Sequence, residues 1–434
     1  MSVPKKPGIF SAPCWTTKVD GAWASSPTVS DLTGDGVLDI VVGTINSPAF
    51  VVAVDGANGV ILWQSEVPRD VYTSAAFIDA NGDSTPDVVM GGRSNDLFAF
   101  DGRTGSILWS ARRANPSLPE LWFGSATPVG DLNGDGTIDI LAPQSGEDTG
   151  NLRAGYLHLL SGADGTVLRT DTTPDAKEIY SPPFVLEGVP LSNQDVYLGT
   201  GGESVQGAVS ALRYGPTLSD APRLAWSVPT DGVVAPPVTA VFGMRKVVLA
   251  TTWGAETLAI DAESGTVLWR NHRRGHVSAA PVAVPASEKG WVVVTSSAGE
   301  TFPPVGEDSV VRWIDTSSGS TIRERDLDGL SATDPILFDF DDDGRQDLLV
   351  APVHEAFAGR SDEKGELLIL DTEDGDPLAS AGFARFAAST PLIADLDDDG
   401  LAELVHTSQT GIRCYRLTTA IEVNRVAAGY RHTR

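Results

Sequence analysis

A phrase that recurs eight times, four short apolar runs inside each copy, and almost no helical periodicity together predict an all-β chain. The expected architecture is an eight-bladed β-propeller with four antiparallel strands per blade, its ring closed by pairing of the N- and C-terminal strands. Residues 1–434 would form this single unit, with tails at 1–12 and 428–434.

The copies follow one order. Each opens on a small residue or Ser, often with Pro, before an alternating run. They read SSPTVSD from Ser25, SAAFID from Ser74, SATPVGD from Ser125, SPPFVLE from Ser181, APPVTAV from Ala235, SAAPVAV from Ser278, SATDPILFD from Ser331 and STPLIAD from Ser389. Their spacing of roughly fifty residues is that of propeller blades. A second β-rich run follows, as in DIVVGT from Asp39, DVVMGG from Asp87 or DLLVAP from Asp347. The third ends in a Gly turn (VVAVDGANG, LFAFDGRTG, LLILDTEDG), and the fourth often opens Leu-Trp, as at Trp63, Trp109 and Trp269, with Trp226 similar. At the ends, CWTTKV (14–19) reads as a fourth strand and GIRCYRL (411–417) as a third. If they pair, Cys14 and Cys414 face each other, and a disulfide would fasten the ring. Two buried thiols are the alternative, and AIEVNRV from Ala420 competes for the outer-strand place.

Composition narrows the function classes. With 31 basic and 58 acidic residues the net charge is −27, which repels nucleic-acid phosphates and anionic membrane surfaces. No apolar stretch approaches the length of a transmembrane helix. The two cysteines make neither a CxxC motif nor a zinc cluster. The first residues carry no apolar signal-peptide core, so the chain is expected to be cytoplasmic or to lack its leader.

The acid excess has a pattern. Five copies carry a nine-residue loop between the first and second runs: DLTGDGVLD, DANGDSTPD, DLNGDGTID, DFDDDGRQD and DLDDDGLAE. Oxygen-bearing side chains fall at positions 1, 3, 5 and 9, a spacing that curls hard ligands around one calcium ion. The expected ligands are Asp31, Thr33, Asp35 and Asp39; Asp79, Asn81, Asp83 and Asp87; Asp131, Asn133, Asp135 and Asp139. The last two sets are Asp339, Asp341, Asp343 and Asp347, then Asp395, Asp397, Asp399 and Glu403. Backbone carbonyls at position 7 would complete them, from Val37, Thr85, Thr137, Arg345 and Leu401. Gly at position 6 permits the bend in four loops, and Ser84 replaces it in the second. About five calcium ions are expected, with no organic cofactor. Acidic turns without metal are the alternative. The middle copies (LEGVPLSNQD, AVFGMRK, VPASEKG) carry no ligand set.

These residues resemble two repeat families. The SPxVxDLNGDGxxDIVVG half is similar to the FG-GAP or VCBS repeat of integrin α-like propellers, which implies calcium in the loop. The AxDxxTGxxLW half resembles the PQQ-like repeat of quinoprotein dehydrogenases and of the outer-membrane assembly lipoprotein. The second resemblance implies that the Leu-Trp positions dock one blade on the next. It also implies quinone-dependent catalysis as an alternative, but those enzymes carry adjacent cysteines and this chain has none. No GxSxG, HExxH, P-loop or Rossmann motif occurs.

The reading is therefore a non-enzymatic, calcium-stabilised binding or assembly scaffold, extracellular or periplasmic, with a protein or glycan partner. A carbohydrate-active or quinone-dependent propeller enzyme is the alternative. The partner is expected on the face opposite the acidic loops, which receives the long connections at 145–155, 201–207, 297–309 and 354–365. Trp23, Tyr72, Phe123, Tyr180, Arg273, Arg274, His276 and Phe386 should rim the channel mouth there, or else pack the inner ends of the blades.

Overall fold

The computed structural model describes the chain except residues 1–9, 11–12, 95, 113–120, 123, 146–153, 187–188, 203–204, 274, 278, 285–289, 298–308, 332, 355–363, 385–386, 421–425 and 429–434. Among the described residues every regular element is a strand, apart from one 3-10 turn at Leu191–Asn193. The strands form eight sheets in which successive strands pair antiparallel. The first sheet orders Thr28–Ser30, Asp39–Gly43, Ala49–Val54 and Ile61–Val67. The second, third, fifth and sixth sheets repeat that four-strand order.

Burial explains why the runs differ in sequence. Second strands such as Asp39–Gly43 and Asp87–Met90 are buried throughout, so they read as continuous apolar runs. Fourth strands such as Arg223–Thr230 alternate exposed and buried residues, because one face meets water. Core clusters lie between consecutive sheets. Ile78, Val89, Leu97 and Trp109 of the second sheet pack with Ile140 and Leu160 of the third.

Three sheets depart from the expected four strands. In the fourth, only Asp195–Gly199, Gly207–Arg213 and Arg223–Thr230 form strands. Its opening run is reduced to a single bridge between Phe184 and Tyr197, since Pro182, Pro183 and Pro190 withhold ladder donors around it. In the seventh, Pro352 interrupts the second run, leaving Asp347–Val350 and the short Val353–His354 to pair separately with Lys364–Leu370. The eighth sheet gains a strand: Val426–Ala428 pairs with Leu392–Ala394. Its opposite edge is Pro13–Thr17, paired antiparallel to Gly411–Ala420. The N-terminal strand thus takes the outer place, and the segment after Ala420 goes to the inner strand instead.

The recurring opening phrase has a hydrogen-bonding role. Ala280, Asp334, Thr390 and Ser26 each precede a proline, which holds them extended. The Ala280 amide donates to Asp334 Oδ1 (2.6 Å), the Asp334 amide to Thr390 Oγ1 (3.2 Å) and the Thr390 amide to Ser26 Oγ (2.9 Å). Ser74 N–H donates to Ser125 Oγ (2.9 Å) in the same manner.

By the density of internal contacts the chain parts into two units. One comprises Met1–Asn46, Val52–Leu62 and Arg273–Arg434; the other comprises Ser47–Val51 and Trp63–His272.

Candidate metal sites

All five acidic loops adopt one hydrogen-bond scheme. In the first, Asp31 accepts the amides of Gly34 (2.7 Å) and Gly36 (3.0 Å), Asp35 accepts Val37 (2.9 Å), and Asp39 accepts Leu32 (3.0 Å). The position-1 carboxylate thus ties the middle of the loop, position 5 ties position 7, and position 9 ties position 2. The third loop repeats this with Asp131, Asp135 and Asp139 on Gly134, Gly136, Thr137 and Leu132. The fourth places Asp339 on Gly344, Asp343 on Arg345 and Asp347 on Phe340. In the fifth, Asp395, Asp399 and Glu403 bind Gly400, Leu401 and Leu396. The second keeps the scheme around Asp79, Asp83 and Asp87 although Ser84 stands at position 6.

Two turns per loop are left-handed. Position 6 has positive φ at Gly36, Gly136, Gly344 and Gly400, and also at Ser84 (φ 68°). Position 4 does too, at Gly34, Gly82 and Gly134, and at Asp342 (58°) and Asp398 (61°). Sequence reading missed position 4, whose signal was the Gly or Asp found there in all five loops; Asp tolerates this region better than most L-residues.

The position-9 carboxylates Asp39, Asp87, Asp139 and Asp347 open the second strands, Glu403 is the third residue of Leu401–Ser408, and all five are buried. Burial raises all five: Asp39 to about 6, Asp347 to about 7 and Glu403 to about 7. They also join the loop to the Gly turn after the third strand. Asp87 Oδ1 accepts Gly102 N–H (2.9 Å), and Asp139 Oδ1 accepts Gly162 N–H (3.2 Å). A Cβ at Gly56 or Gly162 would lie about 2 Å from the carbonyl of Leu38 or Ile138, at loop position 8. The two repeat halves therefore fit one another.

Among the described residues, three acidic oxygens converge, as a hard cation would need, in the fourth and fifth loops. One oxygen from each of Asp339, Asp341 and Asp347 lies within 4.8 Å of the others, and so for Asp395, Asp397 and Asp399. Asp395 Oδ1 and Asp397 Oδ1 are buried and accept no hydrogen bond among the described residues. Thr33, Asn81 and Asn133 supply neutral oxygens at position 3 of the first three loops; Asn81 and Asn133 Oδ1 already accept the amides of Asp83 and Asp135 (2.9 Å each).

A tryptophan latch recurs beside these loops. Trp63 Nε1 donates to the Gly102 carbonyl (2.7 Å), Trp109 to Gly162 (2.8 Å) and Trp226 to Ala262 (2.9 Å). Each ring covers the later glycine of that turn, where a Cβ at Gly105, Gly165 or Gly265 would come within 2.7 Å of it. Trp15 of the N-terminal strand makes the same latch, to the Gly56 carbonyl (2.9 Å) and over Gly59.

Cys14 sits in a bulge of the Pro13–Thr17 strand, which sets Trp15 rather than Cys14 opposite Cys414 in the register. The two sulfurs nevertheless lie 3.4 Å apart, as thiols. The hydrogen bond to Cys414, aided by the Arg416 charge, lowers Cys14 to about 7. The same bond and burial push Cys414 far up.

The expected rim residues are held in separate settings. Trp23 is half-buried and packs against the cluster of the seventh and eighth sheets, its carbonyl accepting Ala388 N–H (2.7 Å). Tyr72 lies under the Arg93 guanidinium (5.4 Å), and Tyr180 donates to Glu178 (3.1 Å). Arg273 pairs with Glu324 (3.4 Å), and His276 is half-buried. Phe123, Arg274 and Phe386 fall outside the described residues, as do most of the long connections. A groove of about 620 Å³, which sequence reading missed, lies where the fifth sheet has a tight hairpin instead of an acidic loop. Tyr197, Arg213, Met244, Arg245 and Lys246 help to line it, with Met244 fully exposed. Its signal was the basic, apolar GMRK turn standing where five copies carry an acidic loop.

Repeated antiparallel sheets with recurring latches and acidic loops define a β-propeller repeat protein. Comparison with known proteins agrees. Residues 42–182 match the family described as FAM234A/B beta-propeller, and residues 217–399 match that of the outer membrane protein assembly factor BamB. Protein FAM234A of Bos taurus is 34% identical over 100 residues (21% of this chain, 17% of the relative). That of Mus musculus is 34% identical over 133 residues (27% and 22%). The chain thus spans about a fifth of the length of these relatives. Among solved structures, a europium-containing methanol dehydrogenase aligns with TM-score 0.66 at 12% identity, covering 95% of this chain and 88% of that one. BamB from Moraxella catarrhalis aligns with TM-score 0.50 at 16% identity, covering 81% and 90%. At such identities the likeness is one of fold. Among the described residues no helix is long and apolar enough to cross a membrane.

Proposed function

We propose that this protein is a non-enzymatic scaffold: an eight-bladed propeller whose acidic loops bind calcium and whose irregular loops recognise a protein partner. The observation that carries the reading is the shared geometry of the five loops, with position-1, -5 and -9 carboxylates tied to the same amides. Calcium would supply the charge that lets converging carboxylates stay ionised in a buried place, and would lock each loop to the neighbouring Gly turn. The chain's own residues do the rest. Position 9 bridges loop and turn, and the tryptophans dock on that turn.

In this reading the eight sheets are the blades of one ring, and the pairing of Pro13–Thr17 with Gly411–Ala420 joins its ends. A Cys14–Cys414 disulfide would fasten that joint once an oxidant removes two electrons and two protons, in an extracellular or periplasmic setting. The BamB-like match supports a protein partner, since that relative is described as an assembly factor. A glycan partner is the second form of the same binding role. The enzyme alternative has less support, because likeness to dehydrogenases at 12% identity conveys only the fold.

Native mass spectrometry before and after chelation, under non-reducing conditions, tests the reading. Four or five removable calcium ions and a two-hydrogen mass deficit are expected, with a calcium-dependent rise in melting temperature. No removable metal and an unchanged melting temperature would refute the calcium part.

A further inference from the structure

The fifth acidic loop differs from the others in what faces it across the sheet. The ladder sets Asp101 opposite Asp87, Ser161 opposite Asp139 and Asp371 opposite Asp347, one step beyond the pairs Val88–Phe100, Ile140–Leu160 and Leu348–Leu370. That place lies at the ligand set. Asp101 accepts Asn81 Nδ2–H (3.2 Å), and Ser161 donates to Asp135 (3.2 Å). Opposite Glu403 stands Arg416.

The guanidinium of Arg416 reaches three of the four expected ligands. It pairs with Asp397, with Asp399 (Nη1, 3.0 Å) and with Glu403 (Nε, 3.3 Å). Loops one to three each hold three carboxylates among their ligands, whereas the fifth holds four. The fourth loop also has four, but Arg345 at position 7 reaches only Asp343 of the four expected ligands, its other partners being Asp371 (3.7 Å) and Glu373 on the neighbouring turn. Arg416 stands on the strand that pairs with the N-terminal strand, so its contacts tie the loop to the joint between the chain's ends.

We propose that Arg416 is a built-in counter-ion of the fifth loop. It holds Asp397, Asp399 and Glu403 together when calcium is withdrawn, and it makes this loop a weaker calcium site than loops one to three. The pairing of the terminal strands then persists at calcium levels that empty the other loops. The affinity part rests on the calcium reading above; the counter-ion part does not.

The test combines calcium counting with melting in chelator. At limiting free calcium, Arg416→Gln should bind one ion more than wild type, with that site tightened by roughly tenfold or more, since a positive charge beside the ion is gone. The pair Asp395→Asn with Asp399→Asn should leave the wild-type count at limiting calcium unchanged, while Asp31→Asn with Asp35→Asn should lower it by one. In excess chelator, Arg416→Gln should melt below wild type, and Arg416→Lys, which keeps the charge but not the three-way fork, should fall between them. An unchanged ion count in Arg416→Gln overturns the affinity claim, and an unchanged midpoint in chelator overturns the counter-ion claim. If no variant binds calcium, the calcium reading fails and the chelator midpoints alone decide the role of Arg416. If Arg416→Gln does not fold, the same comparisons are made with Arg416→Met, which keeps the apolar stem without the charge.

Discussion

Single side chains set opposing pH dependences. Asp334 is half-buried in the pre-proline hydrogen-bond row, and desolvation of its carboxyl raises it to about 6. Its folded value lies above the unfolded one near 4. Its contribution is therefore full below about pH 4 and is lost as pH rises through 6. Asp334→Asn keeps a carbonyl to accept the Ala280 amide without the charge. It should raise the melting temperature at pH 8, by on the order of 2 kcal/mol of stability, and change little at pH 4. His406 works the other way. Burial, aided by Arg413, lowers it to about 3, its ring lying 4.1 Å from that of Phe383. Its contribution is present above about pH 6.5 and is lost as pH falls toward 3. His406→Leu should flatten the acid limb of a stability–pH curve; an unchanged limb would count against a neutral buried imidazole.

At the scale of the element, loop and latch carry separate costs. Ser84 holds a left-handed conformation that glycine adopts freely, and a Cβ at the equivalent Gly36, Gly136, Gly344 or Gly400 meets nothing within 4 Å. Ser84→Gly should therefore stabilise the second loop, by up to about 1 kcal/mol, through backbone relief alone. Thermal melts with and without calcium would read this. The latch is packed more tightly. A Cβ at Gly105 would lie 2.5 Å from the Trp63 ring at φ 70°, so Gly105→Ala should cost roughly 2–4 kcal/mol. Trp63→Phe keeps most of the packing and loses the bond to the Gly102 carbonyl, at about 1 kcal/mol. Denaturant midpoints of the two variants should differ in that order.

For the molecule as a whole, the critical element is the strand supplied by the N-terminus. Deleting residues 1–17 would bare the edge of Gly411–Ala420, remove Trp15 from the Gly56 turn and leave Cys414 without its neighbour. The expected outcome is a markedly lower melting temperature and self-association through the bared edge, seen by light scattering. Cys14→Ser should reproduce little of this under reducing conditions and more of it under oxidising ones.

The repeat, the strand order and the acidic loops were legible because each is a local pattern: period two, Gly turns, and oxygens at fixed spacing. The N-terminal strand was legible too, since Trp15 stands where other copies carry Leu-Trp and makes their latch. Other features depend on residues distant in sequence. The segment after Ala420 went to the inner strand because Pro13–Thr17 already occupied the outer edge. The bulge at Cys14 still left the two sulfurs 3.4 Å apart, across 400 residues of sequence. Arg416 reads as an ordinary strand residue until the ladder sets it against Glu403. Spacing along the chain determines which oxygens converge; only the pairing of strands decides which charge meets them.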